Sequence, residues 1–356
     1  MDLCSQELFK VMTYNISIKN IYYMLTYAFQ VLNENGYRKI ATENFENTGD
    51  LFAEILIKGI ELQVKNFLNR EYITEKDELS VLRGKIEIND SINSFSMVKK
   101  KFICSYDEFS IDSYMNRILK STVTLLMNSD ISKERVKKLQ KLMIYFSSVQ
   151  LIDVNRINWN LRYSRNNQTY RMLIGICYLV IKGLLQTQED GSAKFMDFLD
   201  EQRMSHLYEK FLLEYYKKHF PELHAAALAI EWQLDDGNKY LLPSMQSDIV
   251  LTRSNKMLII DAKFYSHNTQ VQYNKHSVHS ANLYQIFTYV KNKDVELKQK
   301  GYEISGMLLY AKTNDEVQPD SDFKMSGNKI FVKNLDLNME FDLIKEELNR
   351  FVRYME

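Results

Sequence analysis

The sequence predicts an α/β fold (α+β overall): a mainly helical first half with a β-ribbon, then a C-terminal mixed sheet flanked by helices. Three observations lead to this prediction. The chain has 356 residues, enough for two domains of ordinary size. Apolar residues recur with helical spacing through most of the first half. After residue 196, predicted strands are bracketed by predicted helices, which is typical of a sheet covered on both faces.

Composition limits the classes of function. Hydrophobic residues make up 45% of the chain and charged residues 26%, as in globular proteins. The formal net charge is +0, so no overall basic field attracts nucleic acid, and a DNA contact needs a local patch or a partner. Three widely spaced cysteines, an N-terminus without a signal core and the lack of a long apolar run predict a soluble cytoplasmic protein with no membrane contact.

The first half is predicted to consist of helices interrupted by a ribbon. Apolar spacing predicts five helices, at Ile18–Gln30, Asp50–Asn69, Tyr114–Asn128, Ser132–Ser147 and Thr169–Gln186. Residues 71–104 alternate in short bursts typical of a β-ribbon, with a strand at Met97–Cys104. The linker-like stretch Thr187–Lys194 places a boundary between an N-terminal domain, 1–190, and a C-terminal domain, 191–356.

The second half is predicted to form the sheet. The predicted elements in order are a helix at Met204–His219, a strand at Ala227–Leu234, a hairpin of Ser247–Thr252 and Met257–Lys263, a helix at Ala281–Asn292, strands at Ser305–Tyr310 and Lys329–Leu335, and a helix at Met339–Met355. The hairpin contains the most apolar strand of this half, and that strand ends in a polar Asp-Ala-Lys triplet.

The hairpin carries the residues best suited to chemistry. Side chains alternate along a strand, so Asp261 and Lys263 share one face, and Asp248 on the preceding strand can lie across from them. Two carboxylates can hold a hard divalent cation, and a lysine can steady an attacking water or developing negative charge. These are the needs of a metal-dependent phosphodiesterase. A surface hairpin with solvated charges has the same spacing, which alone does not decide between the two.

The hairpin resembles the metal site of the PD-(D/E)xK nuclease superfamily. Four segments, IKNIYYMLTYAF at 18–29, LLPSMQSDI at 241–249, MLIIDAKFY at 257–265 and HSANLYQIFTYV at 279–290, are similar to the McrC family, the nuclease subunits of McrBC modification-dependent restriction systems. The resemblance implies that Asp248 and Asp261 bind Mg²⁺ and that Lys263 assists the hydrolytic water. The proline usual before the first acid stands five residues upstream, at Pro243.

The resemblance also suggests auxiliary residues. Gln285 and Tyr289 lie four apart on one helical face and match a QxxxY element of related nucleases. They either contact the scissile strand or hold Lys263, or else are ordinary surface and core residues of a helix. Glu209 and Glu214 lie on the preceding helix, where the superfamily sometimes supplies another acid. Only one of them can face the site, and the alternative for each is an ordinary position on a solvated helix face.

The implied activity is Mg²⁺-dependent, GTP-dependent and methylcytosine-directed cleavage of double-stranded DNA, together with stimulation of the partner's GTP hydrolysis. The implied partner is a McrB-like hexameric AAA+ GTPase, since this chain has no GxxxxGK[ST] loop of its own. The ribbon is the candidate element that enters the ring, and Arg83 and Lys85 in its LRGKI turn are candidate contacts. They otherwise belong to an ordinary hairpin that bends at Gly84. Two alternative functions are a non-catalytic regulator of an AAA+ ring and an autonomous PD-(D/E)xK nuclease.

Overall fold

The chain folds into two compact units. A computed structural model describes residues 16–33, 37–43, 45, 47–164, 167, 169–190, 201–272 and 275–355. One unit, the helical unit, is Asn47–Gly191, and the other, the sheet unit, joins Met1–Glu46 to Ser192–Glu356. This arrangement differs from the division into 1–190 and 191–356, because the first helix of the chain packs in the sheet unit.

Helix α1 (Ile18–Ala28) is held in the sheet unit by buried polar and aromatic contacts. The amide of Asn20, which is 3% exposed, donates to the carbonyl oxygens of Leu337 (2.8 Å) and Met339 (2.7 Å). The ring of Tyr23 stacks on Phe341, with centroids 4.4 Å apart. The first predicted helix is therefore confirmed. Its location in the sheet unit could not be predicted from the local pattern, because its partners are more than 300 residues away in sequence.

The helical unit contains a small, largely exposed sheet in addition to its helices. Its elements are α2 (Thr48–Lys65), β1 (Glu71–Leu79), β2 (Lys85–Ile86), α3 (Ile88–Asn93), β3 (Phe102–Ser110), α4 (Tyr114–Met127), α5 (Lys133–Met143) and α6 (Tyr170–Asp190). The predicted helices are confirmed. The strands form an antiparallel sheet in the order β1-β3-β2, so the predicted ribbon is a three-stranded sheet that extends to Ser110.

Two boundaries in this unit differ from the prediction. The strand predicted at Met97–Cys104 begins only at Phe102, because Phe95 and Lys100 have φ angles of 53° and 56° and a 3-10 turn lies between them. Helix α6 continues to Asp190, so the first part of the predicted linker Thr187–Lys194 is helical. The remainder of that linker lies outside the described residues.

The sheet unit is built on a five-stranded mixed sheet. Its further elements are α7 (Glu201–His219), β4 (Ala229–Ile230), β5 (Met245–Gln246), β6 (Ile249–Arg253), β7 (Lys256–Lys263), β8 (Thr269–Gln272), β9 (Lys275–Val278), α8 (Ser280–Leu297), β10 (Glu303–Ala311), β11 (Ser321–Met325), β12 (Asn328–Leu335) and α9 (Phe341–Val352). The sheet order is β11-β12-β10-β7-β6. Strands β7, β10 and β12 are parallel, and β6 and β11 run antiparallel to their neighbours. The predicted mixed α/β architecture is confirmed.

Helix α8 lies close against the centre of this sheet. A Cβ atom built on Gly306 of β10 would stand only 2.7 Å from Cγ2 of Val290 and 2.8 Å from Cγ1 of Ile286. Glycine therefore permits the helix to approach, and the aliphatic side chains of α8 complete a core with Ile259 and Leu308. As a result, the first turns of α8 stand next to the end of β7.

Three features of the sheet unit were not predicted. The strand expected at Ala227–Leu234 is reduced to β4, because beyond it the indole of Trp232 donates to the carbonyl oxygen of Pro243 instead of the chain continuing a ladder. The hairpin β8–β9 and the edge strand β11 are additional.

Among the described residues, none of the helices combines the length and the apolar character that a membrane span needs.

Candidate active site

The β6–β7 hairpin brings two carboxylates together at one end of the main sheet. Ile249 pairs with Ile260, so Asp248, which directly precedes β6, stands beside the end of β7. Its Oδ2 accepts a hydrogen bond from the backbone N–H of Ala262 (2.8 Å). Asp261 is only 1% exposed. The structure thus brings Asp248 next to the Asp261–Lys263 segment, as the alternation along the two strands predicts.

Lys263 completes the cluster. Its Nζ lies 2.7 Å from Oδ2 of Asp261 and donates to Oε1 of Gln285 at 3.0 Å. Burial alone would lower the pKa of the ammonium group, but the carboxylate of Asp261 outweighs burial and the pKa of Lys263 is raised. The lysine is therefore a fixed positive charge at neutral pH, aimed at the two acids.

Both carboxyl groups have raised pKa values. Burial, then the charge of Asp261 and the charge of Glu209, raise the pKa of Asp248 from 3.8 to about 7. Burial also raises the pKa of Asp261, although Lys263 opposes this effect. Acids crowded together in a poorly solvated site resist ionisation because no sufficient counter-charge is present. A bound cation would stabilise the ionised form of such a site. Acidic groups with strongly raised pKa values are common at functional sites.

Gln285 and Tyr289 are joined to the lysine by a chain of hydrogen bonds. The amide nitrogen of Gln285 donates to the hydroxyl of Tyr289 (2.8 Å), which donates to the carbonyl oxygen of Gln246 (3.1 Å). Gln285 thereby presents its oxygen to Lys263 in a fixed orientation. Among the interpretations that the sequence left open, the structure agrees with the one in which Gln285 holds Lys263. Tyr289 holds Gln285 in turn and also packs in the core.

A second polar network fixes α8 next to β7, and sequence reasoning missed it. Asn282, which is 5% exposed, accepts a hydrogen bond from the hydroxyl of Tyr265 (3.1 Å), and its amide nitrogen donates to the hydroxyl oxygen of Tyr310 (3.0 Å). These bonds connect the first turn of α8 to the residues after β7 and to β10. The only sequence signal was the presence of Asn282 in the HSANLYQ segment.

Glu209 and Glu214 are separated by the structure. Glu209 lies near enough that its charge raises the pKa of Asp248 and opposes ionisation of Asp261. Glu214 instead pairs with Lys217 at 2.8 Å. Five positions along a helix turn a side chain by about 140°, so the two glutamates of α7 point in different directions. Of these two glutamates, Glu209 is the one whose charge reaches the aspartates, while its own oxygens accept from Ser205 (2.9 Å) and lie 3.3 Å from Nδ1 of His206.

The cluster offers oxygen ligands for a hard cation. The Oδ2 atom of Asp261 is buried and accepts no well-directed hydrogen bond from any described residue, its contact with Lys263 being an ion pair. A buried carboxylate oxygen that is paired with an ammonium group and has no well-directed hydrogen bond can also serve as a ligand of a hard metal ion. Within the described residues, no group of three or more His, Cys, Asp or Glu side chains is arranged to hold a metal. The candidate protein ligands are therefore the two aspartates.

The other candidate residues, Arg83 and Lys85, lie in the helical unit. The guanidinium of Arg83 stands 3.9 Å from the ring centroid of Tyr106 and 3.5 Å from a carboxylate oxygen of Glu108. Lys85 pairs with Glu87 at 3.2 Å. The basic side chain of each pair is more than half exposed, and ion pairs at exposed positions contribute little to stability. The two residues are free to exchange these partners for others.

The turn that contains these residues requires glycine and is surrounded by exposed apolar side chains. Gly84 has φ +67°, and a Cβ atom there would stand 2.3 Å from the carbonyl oxygen of Ser105. Apolar side chains at least 49% exposed in this part of the helical unit are Val81, Leu82, Ile88, Ile92, Phe95, Met97 and Val98. A concentration of this kind marks an interaction surface.

Comparison with known proteins connects the sequence to one family. A family model described as "McrBC 5-methylcytosine restriction system component" matches residues 8–311. The chain is 28% identical over 342 residues to the "Type IV methyl-directed restriction enzyme EcoKMcrBC" of Escherichia coli (strain K12), covering 94% of this chain and 96% of that protein. Both similarities include the β6–β7 hairpin and most of the helical unit.

Two solved structures are also similar. One is a half-complex from a tetradecameric assembly of Thermococcus gammatolerans McrB AAA+ hexamers with bound McrC, at 18% identity and a TM-score of 0.48, covering 94% of this chain and 78% of that chain. The other is the Thermococcus gammatolerans McrBC complex, at 20% identity and a TM-score of 0.37, covering 50% of this chain and 58% of that chain.

Proposed function

The chain belongs to the McrBC 5-methylcytosine restriction system component family, and on that premise we propose that it is the DNA-cleaving subunit of a GTP-dependent, modification-directed restriction system. Its reaction is Mg²⁺-dependent hydrolysis of DNA phosphodiester bonds. The observation that carries the proposal is the cluster of Asp248, Asp261 and Lys263, in which two acids of raised pKa flank a fixed ammonium group.

The arrangement supports assignment of the sheet unit to the PD-(D/E)xK superfamily. In that superfamily an acid, a second acid and a lysine two positions later occupy a hairpin at one end of a mixed sheet. Asp248, Asp261 and Lys263 stand in this relation on β6 and β7. Helix α7 before the hairpin and helix α8 after it contact β7, so the catalytic strand is enclosed.

The proposed chemistry divides among the residues as follows. Asp248 and Asp261 would hold Mg²⁺ through carboxylate oxygens, and the ion would supply positive charge to polarise the phosphate and neutralise developing negative charge. Lys263 orients the attacking water or stabilises the charge on the phosphate oxygens. Gln285 and Tyr289 act as positioning residues, because they hold the ammonium group rather than the substrate. Glu209 adds negative charge next to the two ligands and strengthens the preference for a cation.

We infer that the helical unit contacts a McrB-type AAA+ GTPase ring and stimulates GTP hydrolysis. The exposed apolar side chains next to the Gly84 turn support this, since they have no cover within the described chain and adjoin Arg83 and Lys85. A motor on a separate chain also agrees with the lack of a P-loop in this sequence. The modified base is then read by the partner, and this chain cuts the DNA that the ring delivers.

Substitution of one acid separates the two activities. Asp261→Ala, assayed with the partner GTPase, GTP, Mg²⁺ and a methylated plasmid, should lose DNA cleavage and keep full stimulation of GTP hydrolysis. Asp235→Asn, at an exposed position of the same unit, is the control and should retain both. Cleavage by Asp261→Ala at the wild-type rate would refute the assignment of the active site.

The ring contact is tested in the helical unit. Val81→Asp combined with Val98→Asp places two charges on side chains that are 76% and 81% exposed, so folding should be unaffected. We expect stimulation of GTP hydrolysis to fall about tenfold, because charges are poorly accommodated in an apolar contact. Ile144→Asp, at a side chain 71% exposed elsewhere in the unit, is the matched control. Unchanged stimulation by the double variant would exclude this surface.

A further inference from the structure

The segment between Lys263 and the end of α8 has an unusual charge distribution. The whole chain contains 46 Asp and Glu among 356 residues, so a stretch of 32 should contain about four by simple proportion. Residues 262–293 contain none, but they include four lysines, at positions 263, 275, 291 and 293, and three histidines, at 267, 276 and 279. Lys291 and Lys293 pair with Asp294 (3.4 Å) and Glu296 (2.8 Å) just beyond this run, so it is the acid-free stretch before them that attracts polyanions more strongly than the neutral chain as a whole.

Within this segment, β8 and β9 form a hairpin that we call the arm. The arm begins six residues after Lys263, at Thr269, and ends two residues before the first turn of α8, the helix whose Asn282 and Gln285 adjoin the site. Its strands pair Thr269 with Val278 and Gln270 with Ser277. At about 3.4 Å per residue, strands of this length reach on the order of 10 Å from their base. The arm is therefore attached directly at the reactive end of the sheet.

The base of the arm is firmly fixed. Asn268 is 0% exposed, and its amide donates to the carbonyl oxygen of Ala311 at 2.7 Å. Nε2 of His279 donates to the carbonyl oxygen of His267 (3.0 Å), which closes the two ends of the hairpin. Hydrogen bonds from side chains to the backbone hold the hairpin in one orientation. Little conformational entropy is then lost when the hairpin binds a ligand.

The described surface of the arm is polar and rich in hydrogen-bond donors. Gln270 and Ser277 are exposed and directly opposite each other, so they share one face. His276, also exposed, has its Nδ1 3.0 Å from Oγ1 of Thr269, which leaves Nε2 directed away from that contact. Amide, hydroxyl and imidazole groups of this kind contact phosphate and sugar oxygens in protein–DNA interfaces.

We propose that the arm binds the sugar–phosphate backbone of duplex DNA next to the bond that is cut, and so positions the strand over Asp248, Asp261 and Lys263. The inference rests on the proposed nuclease function. Duplex DNA is the occupant favoured by charge, because the arm contributes no carboxylate of its own, Asp315 being paired with His267 at its base (2.9 Å), and DNA is a dense line of negative charges. The exposed side chains described in the arm, Gln270, His276 and Ser277, are polar, whereas surfaces that dock proteins are centred on large apolar side chains.

The test measures DNA binding without cleavage. A fluorescein-labelled 30-base-pair duplex is titrated with the full chain in EDTA, alone and in complex with the partner ring and a non-hydrolysable GTP analogue. Gln270→Glu combined with Ser277→Glu adds two negative charges to the arm, and the Kd for the duplex should rise about tenfold or more. Gln270→Lys combined with Ser277→Lys should lower the Kd instead.

A matched control has the same change in net charge at the other end of the sheet. Gln299→Glu combined with Lys300→Gln lies beside the start of β10, and its Kd should stay within about twofold of wild type. Asp261→Asn should bind the duplex at least as tightly as wild type while losing cleavage, which separates failure of the arm from failure of the active site. Each variant is first compared with wild type in thermal unfolding.

Three results would overturn the proposal. The first is an unchanged Kd for the Gln270→Glu/Ser277→Glu variant in both titrations. The second is a Kd change in the Gln299→Glu/Lys300→Gln control as large as that of the arm variant. The third is loss of GTPase stimulation by the arm variant with unchanged DNA affinity, which would assign the arm to the partner protein. In each case, cleavage by wild type would leave the proposed nuclease function standing.

Discussion

Replacing Asp248 with asparagine should stabilise the metal-free protein, and the gain should increase with pH. The pKa of Asp248 is raised from 3.8 to about 7, first by burial and then by the charges of Asp261 and Glu209. Between these two values the folded state keeps a proton that the unfolded state has lost. Folding therefore becomes less favourable as pH rises through this window, and the penalty is fully present above the folded pKa.

The size of the effect follows from the two pKa values. With 3.8 for the unfolded chain and about 7 for the folded one, the penalty is about 1.5 kcal/mol near pH 5 and about 4 kcal/mol near pH 8. Asparagine has nearly the same shape, does not ionise, and its carbonyl oxygen can still accept from the N–H of Ala262. The free energy of unfolding of Asp248→Asn should exceed that of wild type by about these amounts.

The two tryptophans make the measurement specific. Trp232 packs against the core of the sheet unit, and Trp159 lies in the helical unit. In a Trp159→Phe background, urea unfolding followed by fluorescence reports on the sheet unit alone. Titrations in EDTA near pH 5 and near pH 8 give the two free energies, and the exposed Asp235→Asn variant, expected to differ by less than about 0.5 kcal/mol, is the control.

The same titrations contain the refutation. No gain from Asp248→Asn near pH 8, or an equal gain at both pH values, would show that burial and the neighbouring charges do not raise the pKa of Asp248 as described. Excess Mg²⁺ should stabilise the wild type near pH 8 and have a much smaller effect on the variant, because a ligand that binds only the folded state stabilises it by mass action. Equal stabilisation of both proteins would place the cation elsewhere.

Three further predictions concern positions outside the acid pair. Asn20→Ala should destabilise the sheet unit by about 2–3 kcal/mol, because one buried and one partly buried carbonyl oxygen lose their donor. Trp232 fluorescence during unfolding measures this, and an effect below about 0.5 kcal/mol, the level of an ordinary surface change, would contradict it. Gly84→Val should destabilise the helical unit by about 2 kcal/mol or more and weaken GTPase stimulation, because its Cβ would meet the backbone of Ser105. Trp159 fluorescence in a Trp232→Phe background measures the stability. A fully stable variant would show that glycine is not required at this position. Gln285→Ala should slow cleavage about tenfold at saturating DNA and leave the Kd for DNA unchanged, because the Gln285 amide holds Lys263 and not the DNA strand. A raised Kd with an unchanged rate would instead make Gln285 a DNA contact.

The central hairpin was predictable because its signals are local. An apolar run, a polar turn and strict alternation fix which residues of β6 and β7 share a face, and Asp248, Asp261 and Lys263 follow from that alternation. The resemblance of the LLPSMQSDI and MLIIDAKFY segments to one family gave the expected chemistry, and the family assignment is confirmed. Their catalytic roles stay predictions.

Other features depend on contacts that no local pattern encodes. The placement of α1 in the sheet unit arises from Asn20 and Tyr23 meeting residues near the C-terminus. The choice between Glu209 and Glu214 depends on how α7 is rotated against β7, which sequence spacing leaves open. The β8–β9 hairpin was missed because its strands are short and polar and lie outside the core, where β-propensity and apolar alternation give little signal.

The most direct test of the account is cleavage of a methylated duplex by three matched proteins, each assembled with the same GTPase ring, GTP and Mg²⁺. The wild type should cut. Asp261→Asn and Lys263→Gln, which preserve side-chain size, should each cut at least about a hundredfold more slowly, as expected when a metal ligand or a charged transition-state group is removed, while GTP hydrolysis stays at the wild-type rate. Cleavage by either variant at the wild-type rate would contradict the claim that this cluster is the site of DNA hydrolysis.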